Sequence, residues 1–251
     1  MRKLETYQDF LTSLLKSVSH KTTFSSKPAL KEIVKSNRMV VVVNHATPLS
    51  WIPAMSLLAT KVAKAGGGDR VPMGIVDKWF YSNPLTTMVA EYLTQSDKFL
   101  EFDQLISKFK KTKKGDLVVF PEGAHSFFEM NQAIKTFRSS RFIELAIETE
   151  SPILLAVHKG SESWSKSLPI PAQIGALVMP FSEFFGRKIL EHGSIGVPWI
   201  EKMEEFKMHV EFYDLELKSK DLSQDLPTRK SQLKLEADKI KIKMQQIWND
   251  L

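Results

Sequence analysis

Apolar positions along the chain fall into two rhythms. Residues 39–43 read Met-Val-Val-Val-Val, 117–120 Leu-Val-Val-Phe and 153–157 Ile-Leu-Leu-Ala-Val. Continuous aliphatic runs of this length predict strands buried on both faces. A further strand is expected over 72–76, and a less regular one over 208–217, where Val210, Phe212 and Tyr213 stand. Helices are predicted between them, at about 51–64, 84–92, 106–114 and 134–148. Gly66-Gly67-Gly68 breaks the first of these, and Gly115-Asp116 turns the third into its strand.

The two ends carry helical stripes. Leu4, Tyr7, Leu11, Leu14, Leu15 and Val18 recur at helical spacing, as do Leu233, Ala237, Ile240, Met244, Ile247 and Leu251. The first helix either packs on the domain or lies in a membrane interface. The second either packs on the domain or pairs with another chain. Residues 160–200, with four prolines and many large apolar groups, read as irregular backbone. Alternating strands and helices predict an α/β fold. The expected organisation is a single domain over 1–251: an amphipathic helical region at 1–35, an α/β core at 36–217 and a C-terminal helix at 218–251.

A chain of 251 residues can bury a full core. It has no Cys, which removes disulfides, a thiolate nucleophile and cysteine–zinc sites. Its formal net charge is +6, which favours anionic lipid headgroups or a phosphate-bearing ligand. Nucleic acid is the competing polyanion, but zinc-finger spacing, an RNA-recognition motif and a basic helix are all missing. No run of 18 apolar residues offers a conventional spanning helix, and the segment after Met1-Arg2-Lys3 is a poor secretory signal. The expected location is cytoplasmic, peripheral on a membrane.

Two polar motifs follow the first two runs. Asn44-His45 comes directly after Val43, with Thr47 and Ser50 close behind. Phe120-Pro121-Glu122-Gly123-Ala124-His125-Ser126 comes after Val119. In an open α/β sheet the C-terminal ends of the strands are where ligands bind, so His45, Ser50 and Glu122 are expected around one pocket. A histidine suits general-base work near neutral pH, and a glycine turn permits close backbone approach to an anion.

These motifs resemble those of the glycerolipid acyltransferases, the 1-acylglycerol-3-phosphate acyltransferase type. Asn44-His45 with Ser50 matches the family's N-H-x-x-x-x-D block except for its Asp. Phe120 to Gly123 and Ser126 match F-P-E-G-T-R-S, with His125 in place of the Arg. Phe137-Arg138 and Pro152-Ile153-Leu154 resemble the F-K-x-G and P-I-x-P segments, with Leu155 where a Pro is usual. The family's middle block usually ends in Gly and Arg; here Lys98 stands one place off. The resemblance implies a glycerol-3-phosphate acyltransferase-like mixed sheet flanked by helices.

It also implies transfer of a fatty acyl group from acyl-CoA or acyl-carrier protein to a lysophospholipid or glycerol-phosphate hydroxyl. No metal or bound cofactor is needed; the partners are the acyl thioester, the lysophospholipid and a phospholipid membrane surface. His45 would be the base and Ser50 its altered partner, with Asp77, Asp97 or Glu122 as carboxylates that could serve instead. Asn44, Thr47, Glu122, Gly123, His125 and Ser126 would bind substrate. Lys98 and Arg138 would hold its phosphate, with Lys78 and Arg141 as further candidates. Residues 160–200 could line an acyl groove or touch lipid. A catalytically impaired lipid-binding protein is the alternative, favoured by Ser50 and His125. A hydrolase is a weaker reading, because a G-x-S-x-G elbow is missing.

Overall fold

The computed structural model describes residues 1–130 and 132–251. The main sheet contains β1 (Ser19–Lys27), β2 (Arg38–Val43), β3 (Val71–Gly74), β4 (Gly115–Val119), β5 (Ile153–Lys159) and, closing the chain's strands, β8 (Met203–Tyr213). A separate antiparallel pair is made by β6 (Ser165–Pro169) and β7 (Ser194–Pro198). The main order is β1-β8-β5-β2-β4-β3; only the β5–β8 contact is antiparallel.

Alternate residues of the central strands feed opposite cores, as a pleated strand requires. Val40 and Val42 join Leu117 and Leu155 on one face, beneath α5 (Phe102–Lys111), α6 (Arg141–Glu148) and α9 (Leu226–Asp250). Met39, Val41 and Val43 join Val118 and Leu154 on the other, beneath α1 (Gln8–Val18) and α3 (Trp51–Val62). The remaining helices are α2 (Leu30–Ile33), α4 (Pro84–Thr94), α7 (Ala172–Val178) and α8 (Glu183–His192).

Both terminal stripes turn inward. Leu4, Leu15 and Val18 are buried in the α1–α3 core, so the packed reading of the first helix holds. Leu233, Ile240, Met244 and Ile247 are buried under α9, each worth about 1.5–3 kcal/mol before ordering costs. That helix is packed on the sheet.

Three expectations need correction. Residues 19–27, inside the region read as amphipathic helix, form the edge strand β1. Residues 134–140 do not extend α6. Their polar groups bond other loops instead: Thr136 N–H donates to Glu129 Oε2 at 2.8 Å and Arg138 N–H to the Pro121 carbonyl at 2.7 Å. Residues 160–200 are not irregular throughout. The Ser182 hydroxyl caps α8, and Gly186 lets α7 approach it, since a Cβ there would lie 2.8 Å from the Gly175 carbonyl oxygen.

Arg70 and Asp116 form an ion pair buried in this scaffold. Arg70 Nε lies 2.9 Å from both Asp116 carboxylate oxygens, while its Nη1 donates to the carbonyls of Val34 and Ser36 at 3.0 and 2.6 Å. The guanidinium therefore ties the loop before β2 to the start of strand β4.

Candidate active site

The sheet register brings the two motifs together. Val42 faces Val119 across β2 and β4, and Val43 faces Ala156 across β2 and β5. Because these strands are parallel, Asn44-His45, Phe120 to Gly123, and the segment after Lys159 all leave the sheet at one edge.

A direct hydrogen bond joins the motifs: the His45 backbone N–H donates to Glu122 Oε1 at 3.1 Å. Glu122 is fully buried, and its Oε2 makes no hydrogen bond among the described residues. Burial pushes its carboxyl up to about 7, against the opposing pull of the His45 N–H and the Lys135 ammonium. The His45 ring packs 5.1 Å from the Phe120 ring. Burial lowers the imidazole to about 4, and the nearby His158 and Lys135 lower it further than burial alone. Backbone groups of Pro48 and Gly123 approach the ring, but neither ring nitrogen makes a well-formed hydrogen bond among the described residues. At neutral pH this imidazole is uncharged, with both ring nitrogens buried.

Ser50 does not partner it. The buried Ser50 hydroxyl donates to the Thr47 carbonyl at 2.9 Å and accepts the Thr47 N–H at 3.2 Å. It closes the turn into α3, so the expectation of a Ser50–His45 pair is corrected. Thr47 is likewise occupied: its Oγ1 donates to the Ser161 carbonyl at 3.4 Å. Gly123 has φ +51°, which suits glycine, but its N–H is spent on the Phe120 carbonyl at 3.1 Å. The turn reading holds for Gly123, and its amide is not free to meet an anion.

The other candidates divide. Ser126 is fully buried, and its hydroxyl makes no hydrogen bond among the described residues. His125 Nδ1 lies 2.8 Å from Glu129 Oε1 without the alignment of a hydrogen bond, and its ring edges onto Phe184. Burial holds His125 below the usual imidazole range. Arg138 lies beside Gly123, 3.4 Å from Asp77. Lys98 is exposed on the loop after α4, where its carbonyl accepts the Ser96 hydroxyl; that contact does not join it to His45. A cavity of about 600 Å³ beside β1, β8 and the end of α9 includes neither His45 nor Glu122.

Two participants went unnoticed in the sequence. His158, fully buried on β5, clasps Asn44 three ways. Its N–H donates to Asn44 Oδ1 at 2.8 Å, its carbonyl accepts Asn44 Nδ2 at 3.1 Å, and its Nε2 lies 2.8 Å from the Asn44 carbonyl. That carbonyl can only accept, so Nε2 carries the proton. Asn44 is thus a brace between β2 and β5. Lys135, 1% exposed, donates its ammonium to the Ala46 carbonyl at 2.7 Å, next to His45. A lone His after an apolar run and a lone Lys before Phe137 gave no signal of this.

The opposed shifts predict a pH signature. Glu122 binds its proton more tightly folded than unfolded, so its contribution to stability is complete below 4.5 and lost as pH rises to about 7. His45 and His158 act oppositely: their contribution is complete above 6.5 and lost as pH falls to about 4. Thermal unfolding of Glu122→Gln should therefore show a steeper rise in Tm between pH 4.5 and 6.5 than the parent. Equal slopes would mean that Glu122 is not held neutral.

Neither a family model nor a curated protein matches this chain. Among solved structures, the crystal structure of the 1-acyl-sn-glycerophosphate (LPA) acyltransferase PlsC from Thermotoga maritima is similar. The TM-score is 0.50 at 14% identity, over 92% of this chain and 75% of that one. The chain thus has a mixed α/β sheet flanked by helices, similar to the fold of that acyltransferase.

Proposed function

We propose that the chain is an O-acyltransferase of glycerolipid type. The observation that carries this is the His45 N–H to Glu122 bond, which unites the two motifs at the ligand-binding edge of a PlsC-like sheet. An acceptor hydroxyl gives its proton to neutral His45 as its oxygen attacks the thioester carbonyl carbon. The new C–O bond forms, the C–S bond breaks, and the imidazolium returns the proton to the departing thiolate. Acyl-CoA or acyl-carrier protein is the donor and a lysophospholipid or glycerol-phosphate the acceptor. Arg138 is the cation best placed for the acceptor phosphate, since it is half exposed beside Gly123. The protein works peripherally on a membrane; no described helix is long and apolar enough to cross one.

One observation favours a second reading, a lipid-binding protein with catalysis lost. Among the described residues no carboxylate bonds the His45 ring, and Ser50, in the place of the motif Asp, is turned toward Thr47. Turnover of lysophosphatidic acid with acyl-CoA, run beside His45→Ala, decides between them. Acyl transfer that falls by about 10²–10⁴ in His45→Ala supports the enzyme. Lipid binding with turnover equal in both proteins supports the alternative.

A further inference from the structure

The N-terminal stripe that suited a lipid surface is buried, yet large apolar side chains lie outside elsewhere. On α4, Leu85, Met88, Val89 and Tyr92 are 70%, 63%, 41% and 45% exposed. Their spacing puts them on one helical face, while Ala90 is turned inward and buried. The helix carries one charged residue, Glu91. In the turn between α7 and α8, Phe181 is 90% exposed, close to Leu177 at 71%. Single exposed apolar residues are ordinary; an outward helical stripe, and a run in which Leu177, Met179 and Phe181 are all exposed, are not.

The segments that carry both outcrops reach the candidate site through Arg138. Arg138, beside Gly123, reaches Asp77 in the segment leading to α4 and lies 5.1 Å from the Phe184 ring centroid in the first turn of α8. Phe184 in turn edges onto His125 at 5.2 Å. Arg138 thus links the segment before α4 and the first turn of α8 to the Gly123 turn beside Glu122.

Charge indicates what covers them. Cations sit over aromatic rings on α4 and α8, Arg2 over Tyr92 at 5.0 Å and Arg138 over Phe184 at 5.1 Å, and Lys166 on β6 lies 3.4 Å over Trp199 just after β7. The acids of α8 are already paired, Glu183 with Arg187 and Glu191 with Lys188. Rings with a cation at one face and apolar neighbours suit the boundary between headgroups and acyl chains. A net charge of +6 draws the protein to anionic headgroups. A protein partner would need one continuous complementary face, whereas these outcrops are parted by the polar surroundings of Arg138.

We propose that the α4 stripe and the Phe181 turn insert into the surface of an anionic bilayer, so that the candidate site opens onto the membrane. The test is flotation with vesicles of phosphatidylcholine alone and of phosphatidylcholine mixed with phosphatidylglycerol. Phe181→Glu and the double variant Leu85→Glu/Met88→Glu should each weaken partitioning to the mixed vesicles by about tenfold or more. Phe10→Glu, at a position 63% exposed on α1, should leave it unchanged, and circular dichroism should show all variants folded. Binding unaffected by both sets of substitutions, or no wild-type binding to either vesicle, overturns the inference. So does light scattering that shows a dimer dissolved by Phe181→Glu, because a second copy would then cover the face. Flotation needs no turnover, so vesicle binding by a protein without acyl transfer would refute the proposed activity and leave this inference standing.

Discussion

Ser50→Asp is expected to raise the rate of acyl transfer. As the proposed base, His45 would pass through an imidazolium, yet burial holds its pKa at about 4 and no anion bonds its ring among the described residues. A carboxylate close to the ring would stabilise that cation and lift the pKa toward the ordinary imidazole value. In a serine protease, neutralising the corresponding Asp lowers turnover by about 10⁴, which bounds the gain. Thr47 N–H already donates to the Ser50 side chain and would donate to the carboxylate, and the first turn of α3 favours a negative charge. What is lost is the Ser50 donation to the Thr47 carbonyl, so thermal stability must be followed alongside the rate. NMR titration of His45 gives a second readout, in which its pKa should rise. If that pKa rises in a folded Ser50→Asp protein while the rate stays flat, His45 is not the base and the lipid-binding reading takes over.

Asp116→Ala is expected to cost about 3–5 kcal/mol of folding stability, because it strands the Arg70 guanidinium, which is fully buried. Arg70 would keep its bonds to the Val34 and Ser36 carbonyls but lose its counter-charge. Replacing both partners at once, Arg70→Met with Asp116→Ala, should cost less than the single change, since no unpaired charge remains. Chemical denaturation measures all three proteins. A single-variant loss below about 1 kcal/mol would mean that the pair is more hydrated than its burial indicates.

The central strands were legible because burial on both faces demands unbroken aliphatic runs, and Val40 to Val43 or Leu117 to Val119 have few other uses. The same logic failed for β1. Its Ser-His-Lys-Thr-Thr-Phe-Ser-Ser-Lys sequence covers an edge, where most side chains meet water and no apolar run is required. Residues 134–140 showed helical periodicity, but their loop is held by bonds to Pro121, Glu129 and Ala46, far away in sequence or on other elements. The pairing of His45 with Glu122 was readable, because each follows a strand that the sheet rules place side by side. The roles of Ser50 and Gly123 were not. A hydroxyl and a glycine amide serve a turn as readily as a ligand, and only the Thr47 and Phe120 carbonyls decide between those uses. His158 and Lys135 join the site from outside either motif.

The position of β1 also sets an order of assembly. Its sheet partner is β8, and Ser25 faces His209 across that pair. During synthesis the strand must therefore wait until the ribosome has made most of the chain, a delay of about 10–40 s at ordinary elongation rates. A hydrophobic strand left open that long would invite aggregation. This one is polar along most of its length, with Lys21 and Lys27 near its ends, which keeps it soluble while it waits. The features that hid β1 from pattern reading are thus the ones that let it be completed last.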